Sequence, residues 1–493
     1  LNTSEFRISR RQLGVAAGAV AVVGLAACRS RGDTSATRPS DPAAPSMDYT
    51  VKVNKPGGAP GYVFFTFGAN AANAAAPTLP TGPASGASPS VLVIADKAGN
   101  VVWEREMPTG QSAGNLRVQS YQGKPVLTWW QGVNRGGHGT GVNYIADEHY
   151  NVITTLTPGE DLSSDIHEFR LTPDGRALIS SYQEATTDLT AIGGPADAKT
   201  YNSIASVVDI ASKKTLFRWD ALSHVPISDS LAKYIAGPVF DPYHINSISL
   251  DPSGNLLISM RAVSAVCNVD PRSGAINWQL GGRHSTFALG EGVEFAYQHD
   301  AQMPDANTLT VFDNHSDVSQ GPGPAIPSSL KWIRLDFAGR RATLIRTQTH
   351  PGNLVSAAMG NMQRLPGGNT FSGWGTAGRI SEFAADGEMV YDAALTGGTY
   401  RAFLDAWTGE PADPPRLTLT EKAAHAVWNG ATKVVRWRLL KGPQSNVMTP
   451  LTTVAWAGYE TRIPLTENTA GCYQLQALDA GGAVVNQSPP VMR

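Results

Sequence analysis

A composite unit recurs along this chain and limits what it can fold into. It opens with a Pro-x-Gly-type turn and an apolar strand, continues through a second strand closing on Asp, and ends in a Gly turn and a strand finishing on an aromatic residue. The central copy runs from Pro252-Ser253-Gly254-Asn255 through residues 256–259 and 266–270 to Gly274-Ala275-Ile276-Asn277-Trp278. Another leads from Pro173-Asp174-Gly175 through 177–180 and 206–209 to Leu216-Phe217-Arg218-Trp219. A third leads from Pro366-Gly367-Gly368-Asn369 through 380–383 to 387–391, and a fainter one starts at Pro304-Asp305-Ala306-Asn307. Residues 96–103 carry only the last half of the unit, and residues 115–157 form an irregular copy. Each unit holds about four short strands at spacings of about 50–80 residues, which match a propeller blade better than a helical solenoid. A blade cannot bury both faces alone, so packing against its neighbours supplies the core and ring closure leaves few free edges. The expectation is an all-β chain whose body, residues 48–413, is a six-bladed β-propeller closing near Tyr400-Arg401-Ala402-Phe403.

Composition agrees with this reading. The 493 residues exceed the size at which one core stops growing, about 250–300 residues, and a repeat architecture accommodates the excess. Charged residues make up 16%, against 50 Gly and 33 Pro, a balance that suits many short strands joined by turns. With 39 Lys+Arg and 41 Asp+Glu the net charge is −2, so no basic field attracts nucleic acid, and no such partner is expected. After Pro411 and Pro414-Pro415 the pattern changes to short alternating strands around Val427, Trp437, Glu460 and Tyr473. Residues 414–493 are therefore expected to form a small β-sandwich of fibronectin type III or immunoglobulin-like kind, without a catalytic cluster.

The N-terminus reads as an address. Ser9-Arg10-Arg11-Gln12-Leu13 precedes an apolar run, as in a twin-arginine export signal, and Leu25-Ala26-Ala27-Cys28 resembles a lipoprotein lipobox. The expectation is a signal peptide over 1–27, a lipid on Cys28, a disordered tether over 28–47, and a protein exported and anchored to the membrane by that lipid. A plain secretory signal or an uncleaved anchor is the alternative. Cys267 and Cys472 fall in different units and are expected to be separately buried thiols.

Position within the repeat separates the ten His. His167, His244 and His299 each sit just before the first strand of successive units, and equivalent positions on successive blades point toward one axis. Three imidazoles are therefore expected at one central site. Asn246 follows His244 at the alternation that shares its face, and Arg261 follows the strand at 256–260, within reach of the channel mouth. Asn314-His315 and Arg283-His284 are further polar candidates; His138 lies in a Gly-rich loop, and His149, His224, His350 and His425 have no such register. No Cys and no carboxylate pair falls among the candidates, which argues against thiol catalysis and two-acid glycoside hydrolysis. Three His could ligate a metal on residue type alone, but Arg261 opposes a cation, so neither metal nor cofactor is called for. Arg recognises tetrahedral oxyanions, while His can attack such a centre or handle the proton on an entering or leaving oxygen.

Several ordered motifs resemble the bacterial arylsulfotransferase family. They are Asp165-Ile166-His167-Glu168-Phe169-Arg170-Leu171-Thr172, His244-Ile245-Asn246-Ser247 with its Met260-Arg261, Trp278-Gln279-Leu280-Gly281-Gly282 and Gln298-His299-Asp300. Gln363-Arg364-Leu365-Pro366-Gly367-Gly368-Asn369 and Tyr400-Arg401-Ala402-Phe403 fit as well, so the resemblance spans about residues 60–413. It implies transfer of a sulfuryl group from an aryl sulfate to a phenol without a nucleotide donor. It also implies that His299 is the nucleophile that becomes sulfohistidine, with His167, His244, Asn246 and Arg261 binding the sulfuryl and phenolic oxygens. A lipid-anchored propeller that only binds an anion or glycan, and a His-metal hydrolase or lyase, remain the alternatives at this level.

Overall fold

The structure is a computed structural model that describes residues 49–68, 90–159, 161–237, 239–315, 326–466 and 470–493. Arg10-Arg11, Cys28 and the 28–47 tether lie outside the described residues. Among the described residues strands dominate, no helix is long and apolar enough to cross a membrane, and helical turns are three-residue segments such as Arg261–Val263.

Short-range chemistry explains the recurring turns. In the turn at 251–255 one oxygen of Asp251 accepts the N–H groups of Ser253 (2.8 Å) and Asn255 (2.9 Å), while Gly254 takes φ +86°. Asp96 does the same for Ala98 and Asn100, with Gly99 at φ +96°. A side-chain acceptor thus replaces backbone partners, and glycine supplies the left-handed residue without a Cβ clash. The strands that follow, such as Leu256–Met260 and Ala265–Val269, are buried at every position, as expected where both faces of a sheet are covered.

Among the described residues, those from 49 to 405 form six sheets of four or five strands, antiparallel except where Ala288–Leu289 runs parallel to Arg341–Thr349. Taken sheet by sheet around the ring, their inner strands are Phe403–Asp405, Ser112–Tyr121, Phe169–Leu171, Ile245–Leu250, His299–Asp305 and Gln363–Arg364. Each sheet shares a hydrophobic cluster with the next. Phe64 and Leu92 of the first meet Leu116 and Trp129 of the second; Val126 and Ile145 meet Phe169 and Ile179 of the third. Leu178 and Trp219 meet Ile248 and Ile258 of the fourth, and Leu257 and Trp278 meet Leu309 and Ile333 of the fifth. Phe312 meets Trp374 of the sixth, and Phe371 returns to Val63 and Phe65 of the first. The cycle closes, giving a propeller-like arrangement.

Both ends of this segment take part in the closure. Tyr62–Phe67 is flanked by Phe403–Asp405 from the far end of the sequence, and Tyr49–Asn54 adds an outer strand beside Met389–Leu395 of the sixth sheet. The half-unit at 96–103 is thereby completed by strands distant in sequence, and the irregular copy at 115–157 is a regular four-stranded sheet. Beyond it, a three-stranded sheet (Arg416–Leu419, Ala423–Val427, Glu460–Pro464) and a five-stranded one pack around Trp437, Leu439, Ile463 and Tyr473. Their loops cover the outer strand of the first sheet: Tyr459 N–H donates to Val101 O (2.7 Å), Gly430 N–H to Val102 O (2.8 Å), and the Asn429 amide pairs with the Glu104 backbone. Cys267 and Cys472 are both buried and are not bridged.

Candidate functional site

His167 lies two residues before its inner strand, His244 one before, and His299 opens its own. The rings of His167 and His244 are 4.6 Å apart, and the field of both reaches His299. The three imidazoles, each at or just before the start of an inner strand, are thus near enough to influence one another.

Each imidazole is held differently. His167 Nδ1 pairs with Asp165, whose other oxygen accepts Gly139 N–H (2.5 Å). His244 Nδ1 lies 2.5 Å from Asp241 Oδ2, and His138 Nε2 lies 2.7 Å from the same oxygen. His299 Nδ1 faces Asn314 Oδ1 at 2.6 Å. Asn314 gives its amide hydrogens to Ser356 O (2.9 Å) and Met359 O (3.0 Å), so its oxygen is the atom left for His299, and His299 Nδ1 is the donor. His299 Nε2 therefore carries the lone pair, and Met359 N–H donates to it at 3.2 Å. Burial, with Arg261 next in effect, drives the His299 pKa well below the usual imidazole value, so the ring is neutral at pH 7.

Arg261 donates to Ala357 O (3.2 Å) and lies over the Tyr297 ring, 5.1 Å from its centroid. The Asn246 amide is fully buried; it donates to Gln298 O (2.6 Å), and its Oδ1 has no partner among the described residues. Strain gathers here, with His244 (φ +56°), Tyr297 (+55°), Asp300 (+50°) and Met359 (+67°) all left-handed, a conformation costing about 1–2 kcal/mol per non-glycine residue.

Behind the imidazoles the ring is tied together by charge. Glu168 receives Arg401 Nη1 (3.1 Å) and Arg117 Nη2 (3.0 Å), Arg170 lies 3.4 Å from Asp300, and Arg401 also donates to Asn246 O (3.0 Å). The Tyr400 hydroxyl contacts both His167 O (3.1 Å) and Asn246 O (3.2 Å). Burial raises the Glu168 pKa, but the three arginines overcome it and hold the carboxyl at about 2; burial pulls Arg117 down to about 10, still charged at neutral pH.

Three parts of this region were not singled out from the sequence. Asp165 and Asp241 stand two and three residues before their His, and that recurrence of a carboxylate just ahead of a blade-start imidazole is the signal that could have found them. His138, which carried no register, comes to the site from the turn between Lys124–Arg135 and His138–Ala146. With Tyr201, stacked 4.3 Å from it, and Tyr182, edge-on at 4.6 Å, it forms a wall beside His244. The other candidates pair elsewhere: His315 with Asp313 (3.2 Å), and the exposed His284 with Asp229 (3.1 Å).

By residue type His138, Asp241 and His244 could hold a metal, with ligand atoms within 4.8 Å of one another. The 2.5 and 2.7 Å contacts to one carboxylate oxygen are, however, hydrogen-bond distances. Tetrahedral ligands at about 2.0–2.1 Å from zinc would stand about 3.3 Å apart. The described geometry suits shared protons.

Fold and site together define an all-β, propeller-like protein with an imidazole-lined centre beside a guanidinium. The chain belongs to the arylsulfotransferase (ASST) family, whose sequence profile matches residues 117–396, more than half of its length. That family is one of sulfotransferases. No curated protein matches the chain significantly. Among solved structures, a Bacteroides caccae protein of unknown function is similar at 12% identity and TM-score 0.38, over 68% of this chain and 93% of that one. The Cps50 (Swd1) β-propeller domain of Myceliophteria thermophila matches at 11% and 0.31, over 65% and 94%. Catalytically inactive virginiamycin B lyase from Staphylococcus aureus matches at 11% and 0.30, over 75% and 94%. Likenesses this distant decide nothing about the site.

Proposed function

We propose that the protein moves a sulfuryl group from an aryl sulfate to a phenol, without a nucleotide donor, through a covalent sulfohistidine at His299. The observation that carries this reading is the state of His299: a neutral ring whose Nδ1–H is fixed by Asn314, whose Nε2 carries the lone pair, held by a 3.2 Å bond from Met359 N–H that an incoming sulfur must displace, and whose electrostatic neighbour is the Arg261 guanidinium. Nε2 attacks sulfur, the N–S bond forms, and the S–O(aryl) bond breaks with its electron pair leaving on the phenolic oxygen. In the second half the acceptor oxygen attacks sulfur, the N–S bond breaks and its pair returns to Nε2. Arg261 holds sulfuryl oxygens through its planar fork, and His167, His244 and the Asn246 amide serve the sulfuryl and phenolic oxygens. The scaffold in this reading is a six-bladed propeller carrying a C-terminal immunoglobulin- or fibronectin-like sandwich.

The test is purified protein with a chromogenic aryl sulfate, with and without a phenol. Chromophore release that depends on the phenol is expected; release independent of it would mean hydrolysis, and sulfate binding without release would mean a binding protein.

The same proposal places the protein outside the cytoplasm, tethered by lipid on Cys28, on the strength of Arg10-Arg11 and Leu25-Ala26-Ala27-Cys28. Cys28→Ser is expected to move the protein from the membrane fraction to the soluble one. Unchanged fractionation would sink the lipid anchor.

A further inference from the structure

The carboxylate of Asp241 is gripped by imidazoles from two different sheets. Its Oδ2 meets Nδ1 of His244 and Nε2 of His138, while its Oδ1 accepts the backbone N–H groups of His244 (3.0 Å) and Tyr243 (3.4 Å). The segment carrying it is pinned in turn, since Phe240 pairs with the overhang of the third sheet through Tyr201 N–H (2.8 Å) and Lys199 O (2.9 Å). Such bonds hold His244 in its left-handed backbone conformation and set the direction of its ring.

We propose that Asp241 and His138 are positioning residues for His244: Asp241 keeps its proton on Nδ1, so that Nε2 serves as the base toward the acceptor hydroxyl, and His138 limits how basic that nitrogen is. The inference rests on the sulfotransfer reading. In the second half-reaction the acceptor O–H proton passes to His244 Nε2 as its oxygen attacks sulfur and the bond to His299 breaks. In the next first half that proton goes to the departing aryl oxygen, so protons balance over a cycle. The Nδ1 proton stays on its bond to Asp241, whose charge supports the transient imidazolium.

The groups facing this trio are Asp165 and His167 from the lead-in to the third sheet, Tyr182 and Tyr201 from its long hairpin, and His299 from the fifth sheet. Against that background the two imidazoles on Asp241 are driven apart. Burial lowers the pKa of His138, but the hydrogen bond and charge of Asp241, with a backbone bond to Gly136, leave it raised. Burial pulls His244 down to about 4, with Asp241 opposing and His167 and His138 adding to the fall. The two imidazoles on one carboxylate are thus shifted in opposite directions, His138 toward the cation and His244 toward the neutral ring.

The test compares pH profiles of kcat for wild type, Asp241→Asn and His138→Gln, using a chromogenic aryl sulfate with saturating phenol, alongside NMR titration of the imidazoles. Taking the acceptor's proton requires neutral His244, so that half-reaction is lost as pH falls through its pKa. His138 lowers that pKa, so its removal in His138→Gln is expected to move the acidic limb up by about one pH unit. Asp241→Asn is expected to lower kcat by about 100-fold or more while KM for the donor stays within about 3-fold. An acidic limb unmoved in His138→Gln, or full kcat in Asp241→Asn, overturns the inference, and the first decides alone should Asp241→Asn fail to fold. Wild type without turnover would refute sulfotransfer, while the NMR titration would still show whether His138 and His244 are coupled through Asp241.

Discussion

His299→Asn is expected to lose phenol-dependent turnover, by at least about 1,000-fold in kcat. The substitution keeps polarity and approximate size, and it leaves Arg261, His244 and His167 in place. What it removes is the Nε2 lone pair beside Arg261. Wild type given donor but no acceptor should gain about 80 Da of sulfuryl mass and show ping-pong kinetics, and the variant should show neither. Because burial and Arg261 hold His299 well below the usual imidazole pKa, its nucleophilic form persists at neutral pH, so formation of the adduct should show no acidic limb at the ordinary imidazole pKa. Folding should survive at a cost of about 1–2 kcal/mol for the altered contacts to Asn314 and Met359. Appreciable turnover in the variant would move the nucleophile's role to His244.

Arg401→Leu carries the largest expected effect on stability. The guanidinium is fully buried, and its loss strips Glu168 of its bond to Nη1 and frees the Asn246 carbonyl from Nη2. Breaking one side of a buried pair costs about 3–5 kcal/mol, because the remaining charge stays buried. Urea denaturation should show a loss of unfolding free energy of that size, seen as a lower midpoint at unchanged slope, or the variant should not accumulate as folded protein. The same network sets an acid limit. With Glu168 at about 2 in the fold against 4.5 ordinarily, its contribution is complete above about pH 4.5 and lost as pH falls toward 2. The amount is on the order of 3 kcal/mol, and Glu168→Gln should flatten that part of the stability curve. A variant as acid-sensitive as wild type would place the titrating group elsewhere.

What could be read from the sequence was whatever repeats locally. Turns such as Pro252-Ser253-Gly254-Asn255 close on their own Asp within a few residues, so their signal is short-range and survives in the bare chain. His167, His244 and His299 were legible for a related reason, since each sits within two residues of the start of a strand that the repeat already marks. Arg401 and Tyr400 were visible only as part of a motif; their work is to reach the third and fourth inner strands from the end of the ring, a contact over 150 residues of sequence that no local pattern encodes. His138, Tyr182 and Tyr201 were hidden differently. Lys124–Arg135, Arg176–Thr187 and Ala198–Asp209 run for 12 residues where a strand such as Leu256–Met260 runs for five, and the extra length raises their hairpins beside the site. Only the spatial neighbour relation between those overhangs and Asp241 makes a lone His in a Gly-rich loop part of the chemistry.

The seam between the first and sixth sheets has a kinetic meaning. Tyr49–Asn54 lies on the outside of the sixth sheet and Phe403–Asp405 on the inside of the first, so each end of the ring segment is stitched into the sheet built by the other. Neither end is left to fray inward one strand at a time. Opening the ring at this seam requires losing both ladders together with the cluster of Val63, Phe65 and Phe371 between them, so the seam is expected to open as one cooperative unit. Clipping within Tyr49–Asn54 removes one of the two ladders and is expected to speed opening of the seam, read as faster proteolysis of the ring.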